Sequence, residues 1–373
     1  MISTRLIATL AAGLFAGAVA APSHAAWTLA DLGANGGSAS MAYGLNNAGQ
    51  VVGYYVQADG KPYPFITING QMTPFGSAPG AAIAVNDAGQ GAGNTLSADQ
   101  TALDASLIVG SVTTDLGRLG GTGSYVKAIN ANGQVVGWAH LANGRDHAFV
   151  ATAAGMTDLG NITNATSSYA NAINASGVVV GDWISASNVL RGFIASGGTV
   201  VDIGTLGGSS CYPYAINDAG QVVGISATTN GSHAFLYDGK TMTDIGTLGG
   251  KTSSARAINQ YGQIAGYSLT ASGATHAFIY SGKNMADLGT LGGTVSVAVA
   301  INANGQAIGY STIANGTKHA FFYGLGQMTD LETAAPGLSN VNVNYLYLND
   351  VGQIAGTGLI NGSQHAFLLT PIP

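Results

Sequence analysis

Five histidines recur in one phrase, as His147-Ala-Phe149, His233-Ala-Phe235, His276-Ala-Phe278, His319-Ala-Phe321 and His365-Ala-Phe367. Aspartates recur with a similar rhythm at Asp115, Asp158, Asp202, Asp244 and Asp287. Imidazole and carboxylate are the ingredients of metal ligation and of acid–base catalysis. The spacing argues against both. Each phrase returns once per unit of 40–47 residues, so successive histidines lie on successive units, too far apart to share an ion. A position filled in most repeats serves what every repeat needs. We expect a half-buried His that bonds a neighbouring turn. Outside the repeated set, His140, Asp146 and Arg191 form the one cluster suited to acid–base work.

Other chemistry is weaker still. The glycine run from Gly246 to Gly250 looks like a phosphate loop, but such loops need a helix N-terminus after them, and here a strand follows. Asn-Asp-x-Gly at Asn86 and Asn217 lacks the clustered carboxylates and bidentate Glu of a calcium loop. No metal and no cofactor is expected. Cys211 is the single cysteine, which leaves no intramolecular disulfide. It stands where other repeats have Ser or Thr and reads as a small buried residue.

The repeats disagree most just before the Ala of the phrase Ala-Ile-Asn. There stand Tyr43, Ile83, Lys127, Asn171, Tyr214, Arg256, Val299 and Leu346. Binding residues favour variable positions on a rigid scaffold. Tyr43, Lys127, Asn171, Tyr214 and Arg256 are therefore expected to line a shallow ligand site, with Trp138 and Trp183 on its rim. Aromatic faces beside amide and guanidinium donors would suit a glycan. The competing reading packs the aromatics between units and lets the cations snorkel.

The elements that must hold these side chains are legible. Asn occupies one position in all eight units, from Asn46 to Asn349, and Gly follows three residues later each time. That pairing marks a hairpin in which Asn bonds its own turn and Gly takes a left-handed conformation. Each unit reads as four short strands. The first ends in Ala-Ile-Asn, the second is Gln-Val-Val-Gly, the third carries His-Ala-Phe and the fourth Met-Thr-Asp-Leu. No helical period is sustained, so helices are not expected.

Four strands per repeat match the blade of a propeller, and a lone blade cannot bury both faces. The expected fold is all-β, an eight-bladed β-propeller with the small first strand innermost. The eighth unit lacks its fourth strand and the chain opens with an orphan one, Trp27 to Leu32. Pairing the two would complete the last blade and leave no open edge.

Charged residues make up 8% of the 373 residues and the net charge is −6, without a basic cluster, which counts against nucleic acid. Residues 1–25 carry Arg5 and then an apolar run from Leu6 to Ala20, the pattern of a signal peptide. No later run approaches a membrane span. The expected product is a single secreted domain over 26–373, a monomer without a transmembrane segment.

The combination of His-Ala-Phe, Ala-Ile-Asn-x-x-Gly-Gln and Asp-Leu-Gly-Thr-Leu-Gly-Gly resembles the HAF-repeat family of probable extracellular bacterial proteins. The likeness covers essentially the whole chain after residue 25. It implies export and a repeat fold, and brings no activity with it. Members often end in a PEP-CTERM sorting tail, and none is seen before Pro373. The resulting expectation is a non-catalytic module that binds a glycan or a cell-surface protein. A structural or matrix protein comes second, and a propeller lyase or hydrolase for glycans third.

Overall fold

Asparagine turns organise the chain. The computed structural model describes residues 26–372 apart from 98, 161 and 163, so the apolar leader read at 1–25 lies outside the described residues. In the third repeat, Asn130 N–H donates to Gln134 O at 3.0 Å, Gly133 N–H donates back to Asn130 O at 3.1 Å, and Asn130 Oδ1 accepts from Gln134 N–H at 3.0 Å. Gly133 has φ +75°, and a Cβ there would sit 3.0 Å from Gln90 Oε1 of the preceding repeat. Backbone strain and the neighbouring amide together exclude a side chain.

The strands Gly120–Ile129, Val135–Leu141, Asp146–Thr152 and Gly155–Asp158 then pair in order as a four-stranded antiparallel sheet. Repeats over 40–74, 80–115 and 165–202 build the same sheet. A 12-stranded sheet covers 211–330. It resolves into three such sets, joined only where Ser232 meets Thr252 and Thr275 meets Val295 in single parallel bridges. In the last sheet, Trp27–Asp31 pairs antiparallel with Ser363–Pro371, Leu29 opposite Leu369.

Three recurring contacts hold neighbouring strands and sheets. The first is made by Asn. Asn46 Nδ2 donates to Asn86 O at 2.9 Å, Asn86 to Asn130 O at 3.0 Å, and Asn130 to Asn174 O at 3.0 Å. The same bond runs on through Asn217, Asn259, Asn302 and Asn349, and Asn349 Nδ2 donates to Asn46 O at 3.1 Å.

The second contact is made by Ser of the first strand, whose Oγ accepts the N–H of Ala in the preceding repeat's His-Ala-Phe. Ser168 with Ala148 and Ser40 with Ala366 are both 2.9 Å apart. Cys211 holds this position in the fifth repeat, and the partner Ala is there Gly192, whose added Cβ would meet Cys211 Sγ at 3.1 Å. The larger sulfur has displaced a methyl group. Cys211 is 1% exposed, and burial pushes its thiol up to about 12.

The third contact joins the third and fourth strands of one sheet. His147 Nδ1 lies 3.0 Å from Asp158, His233 2.7 Å from Asp244 and His276 2.8 Å from Asp287. The same Asp accepts the N–H two residues on, as Asp244 Oδ1 does from Gly246 at 2.8 Å. Each carboxylate thus fixes a turn and orients an imidazole, a structural duty that consumes the repeated pair. His365 makes this contact across the chain ends, 2.9 Å from Asp31. The exceptions are chemically matched. Arg191 replaces His and pairs Asp202 at 2.8 Å, while Asp104 replaces His in the second repeat and is neutralised by Arg118 at 2.7 Å.

Phe at the third place of His-Ala-Phe, or of Arg191-Gly192-Phe193, fills the interior, with Phe149, Phe193, Phe235, Phe278, Phe321 and Phe367 all 0% exposed. Burying each ring contributes about 1.5–3 kcal/mol. The ring needs Gly opposite it, since a Cβ on Gly181 would come within 2.8 Å of Phe193. The expectation of no helix is corrected by one turn, Leu331–Ala334, N-capped by Asp330 accepting from Glu332 N–H. Here the seventh repeat lacks the usual Gly after Asp-Leu, and Glu-Thr-Ala continues in helical conformation instead.

Candidate functional site

In seven repeats the first strand carries a β-bulge at the same place. The register slips between Ala42 and Gly44, Ala82 and Ala84, Val126 and Ala128, Ala170 and Ala172, Pro213 and Ala215, Ala255 and Ala257, and Ala298 and Ala300. A bulge leaves one residue unpaired and re-aims its side chain. The bulged residues are Tyr43, Ile83, Lys127, Asn171, Tyr214, Arg256 and Val299, the positions at which the repeats differ in sequence.

Two cavities open among them. The larger, about 870 Å³, takes Tyr43, Ile83 and Lys127 from bulges, Tyr54 and Asn94 from second strands, and Tyr345 and Tyr347 from the last repeat. The smaller, about 590 Å³, is lined by Tyr214, Arg256, Val299, Tyr267 and Tyr310 among others. Of the residues expected from sequence, Tyr43 and Lys127 therefore share one cavity, and Tyr214 and Arg256 share another. Asn171 borders neither. Its Nδ2 donates to Asp182 Oδ1 at 2.8 Å and to Pro213 O at 2.9 Å.

The two tryptophans do not form a common rim. Trp138 pairs with Tyr125, and the residue at the matching place in the fourth repeat is Asp182, paired with Tyr169. Trp183 stands one position further on, and strand alternation turns it to the opposite face. It is 8% exposed and packs with Leu159, Ala170 and Phe193. Trp138 stacks on Tyr125 with centroids 5.5 Å apart and meets Tyr169 edge-on at 5.9 Å. The proposed acid–base cluster also divides. His140 lies 2.5 Å from Asp146, whose other oxygen accepts from Tyr169 Oη–H at 3.0 Å, whereas Arg191 is committed to Asp202.

The larger cavity is walled by rings. Tyr43 lies 5.0 Å from Tyr345 in a T-shaped contact and 5.7 Å from Tyr54. Burial, with Tyr54 and Tyr345 alongside, pushes the Tyr43 phenol up to about 12, so it remains a hydrogen-bond donor at neutral pH. Lys127 is exposed to this space, and among the described residues its ammonium has no carboxylate within ion-pair distance. In the smaller cavity Arg256 lies over Tyr214 at 4.3 Å and near Tyr267 at 5.4 Å. These cation–π contacts fix the guanidinium without neutralising it. Among the described residues, no three His, Cys, Asp or Glu come together as a metal-binding group.

Asp182, Tyr54, Asn94, Tyr345 and Tyr347 escaped the sequence reading. The signal lay in the residue after Val-Val-Gly, where Tyr54, Asn94, Trp138, Asp182, Ile225, Tyr267, Tyr310 and Thr357 vary as strongly as the bulge position. Asp182 is 3% exposed, and burial raises its carboxyl from 3.8 to about 6, against the opposing pull of Asn171 and Lys127. A carboxyl raised in the folded state stabilises fully below its unfolded pKa, and that contribution is lost as pH rises through the folded value. Asp182→Asn is thus expected to stabilise the protein by about 3 kcal/mol at pH 8 and by little at pH 4. Urea denaturation at the two pH values reads this directly. An equal effect at both would contradict the buried-acid account.

No family model matches this chain, and no curated protein does. Among solved structures it is similar to a puromycin hydrolase mutant, with a TM-score of 0.50 and 12% identity over 88% of this chain and 59% of that one. It is also similar to the β-propeller domain of the Trilobed protease from Pyrococcus furiosus, with a TM-score of 0.48 and 8% identity over 78% of this chain and 97% of that one. The Porphyromonas gingivalis dipeptidyl peptidase 4 gives a TM-score of 0.48 at 8% identity, over 83% of this chain and 55% of that one. The chain thus spans little more than half the length of these two peptidase chains. The expected glycan-binding module is corrected to this extent: these neighbours are a hydrolase, a protease and a peptidase, and at 8–12% identity the likeness shows the fold alone. Trp183 is buried, and Trp138 is half-buried with one ring face on Tyr125. The fold these comparisons support is an all-β chain of four-stranded sheets with β-propeller neighbours.

Proposed function

We propose that this chain is an exported propeller body of a peptidase-type protein, and that its larger cavity receives a segment of polypeptide. The observation that carries the reading is the cavity itself. About 870 Å³ of space is walled by Tyr43, Tyr54, Tyr345 and Tyr347, in the repeats that depart furthest from the common pattern. The first repeat has Tyr63 and Pro64 where others have His and Ala, and the eighth replaces its first strand with the two-residue strand Tyr347–Leu348. Side chains that no repeat requires are gathered there, and aromatic walls with few polar groups suit apolar side chains of a peptide.

In this reading, residues 26–373 are one domain of eight blades. The ring is sealed by the pairing of Trp27–Asp31 with Ser363–Pro371 and by the unbroken series of Asn contacts from Asn46 back to Asn46. Export rests on the apolar run of residues 6–20. No helix of the described residues is long and apolar enough to cross a membrane. Tyr214 and Arg256 in the smaller cavity extend the same surface.

Fluorescein-labelled hexapeptides with aromatic and aliphatic residues are expected to bind, and Tyr43→Ala to weaken binding about tenfold, the loss of roughly 1.4 kcal/mol of ring contact. Fluorescence anisotropy measures it. Absence of binding by any such peptide, or an unchanged affinity in the variant, overturns the reading.

A further inference from the structure

Lys127 supplies the only formal charge among the side chains that line the larger cavity. The repeat pattern does not require it, since the equivalent bulges carry Tyr43, Ile83, Asn171, Tyr214, Arg256 and Val299. The bulge is also fixed in place. Val126 N–H, next to Lys127, donates to Asn94 Oδ1 at 2.8 Å, which ties the third repeat to the second. Asn94 lines the same cavity, and its amide nitrogen has no partner among the hydrogen bonds of the described residues. The lining of one cavity thus holds an ammonium and an amide NH2, both donors, together with aromatic rings.

The carboxylate that senses Lys127 is Asp182, which is buried and held by Asn171. It stands outside the cavity lining and beyond ion-pair distance of Lys127, so no carboxylate among the described lining residues neutralises the ammonium. Two donors beside an apolar floor match one chemical group, a carboxylate attached to an apolar residue. A chain passing through would bring N–H and C=O groups on both sides of the bound residue into a space where only the Tyr hydroxyls and Asn94 could bond them, at a cost for each group left over. A chain entering by its end buries one residue and one carboxylate.

Building on the polypeptide reading above, we propose that the larger cavity binds the free carboxyl terminus of a polypeptide whose last residue is aromatic or aliphatic. Lys127 and Asn94 receive the α-carboxylate, and the rings of Tyr43, Tyr54 and Tyr345 receive the terminal side chain. Specificity for an end, rather than for an internal sequence, follows from the single charged corner.

Anisotropy titration of the full chain with two labelled hexapeptides tests this. Both end in Phe, one as the free acid and one as the amide. The acid is expected to bind about tenfold tighter, the size of a charge-assisted hydrogen bond. Lys127→Met is expected to abolish the difference between acid and amide. Lys127 is exposed, so this substitution leaves the fold intact, and the acid–amide comparison needs no substitution at all. Equal binding of both peptides by the unaltered protein, with Tyr43→Ala still weakening each, overturns carboxyl-end recognition and spares the polypeptide reading. Persistence of the preference in Lys127→Met also overturns it. Failure of both peptides to bind removes both proposals.

Discussion

Asn217→Ala is expected to destabilise the protein by about 2–4 kcal/mol, more than its size suggests. The side chain is 6% exposed and makes three bonds. Its Nδ2 donates to Gln221 Oε1 at 2.8 Å and to Asn259 O at 3.1 Å, and its Oδ1 accepts from Gln221 N–H at 2.9 Å. Alanine leaves the Gln221 main-chain N–H without a partner, which costs about 1–3 kcal/mol, while Asn259 O loses one of its two donors and keeps Gly262 N–H at 3.1 Å. The bond to Asn259 O joins one repeat to the next, so its loss loosens an interface between sheets as well as a turn. Chemical denaturation reads the change as a fall in the unfolding midpoint. A loss below about 1 kcal/mol would mean that the Asn contacts decorate the turns without holding neighbouring sheets together.

Trp27→Ala carries an expected loss of similar size, about 3–5 kcal/mol, by a different route. The indole is 5% exposed, meets Phe322 edge-on at 4.9 Å and packs in the cluster that includes Leu331, Leu338 and Leu369. Removing it opens a void where the first strand meets the last sheet. One feature of the native packing works the other way, since Trp27 Nε1–H is buried without a partner. Trp27→Phe keeps most of the ring and removes that orphan, so its cost should stay within about 1.5 kcal/mol. The pair of variants separates packing from polarity. If Trp27→Ala unfolds at the same denaturant concentration as the unaltered chain, the first strand is not part of the cooperative unit.

The architecture was legible because its causes are local and repeated. Asn followed three residues later by Gly specifies a turn, and its eight copies specify the period, so four-stranded sheets follow from chemistry within a few residues. The duty of His233 and Asp244 was legible in kind, as a bond to a turn, though not in detail. Asp244 bonds the imidazole and the Gly246 N–H together, and only the pairing of the third strand with the fourth brings them to one place.

The candidate site was half legible. Tyr43, Lys127, Tyr214 and Arg256 were found because the bulge falls at one sequence position. Trp183 faces away because a one-residue offset on a strand reverses the face, whereas Trp138 keeps the register of Tyr54 and Asn94; residue type drew attention before register did. Tyr345 lay beyond reach. It reaches the larger cavity only because the last repeat gives up its regular first strand, and no repeated pattern announces where such a segment will fold.

The larger cavity depends on the meeting of the chain ends. Tyr43 and Tyr54 come from the first repeat and Tyr345 and Tyr347 from the last, so its aromatic walls stand on opposite sides of one joint. Hydrogen exchange over residues 27–31 and 363–371 tests that joint most directly. The account predicts that both segments exchange as slowly as the central strands, such as Val135–Leu141, and are released with them on global unfolding. Rapid exchange at 27–31, with the central strands still protected, would contradict it and dissolve the proposed site.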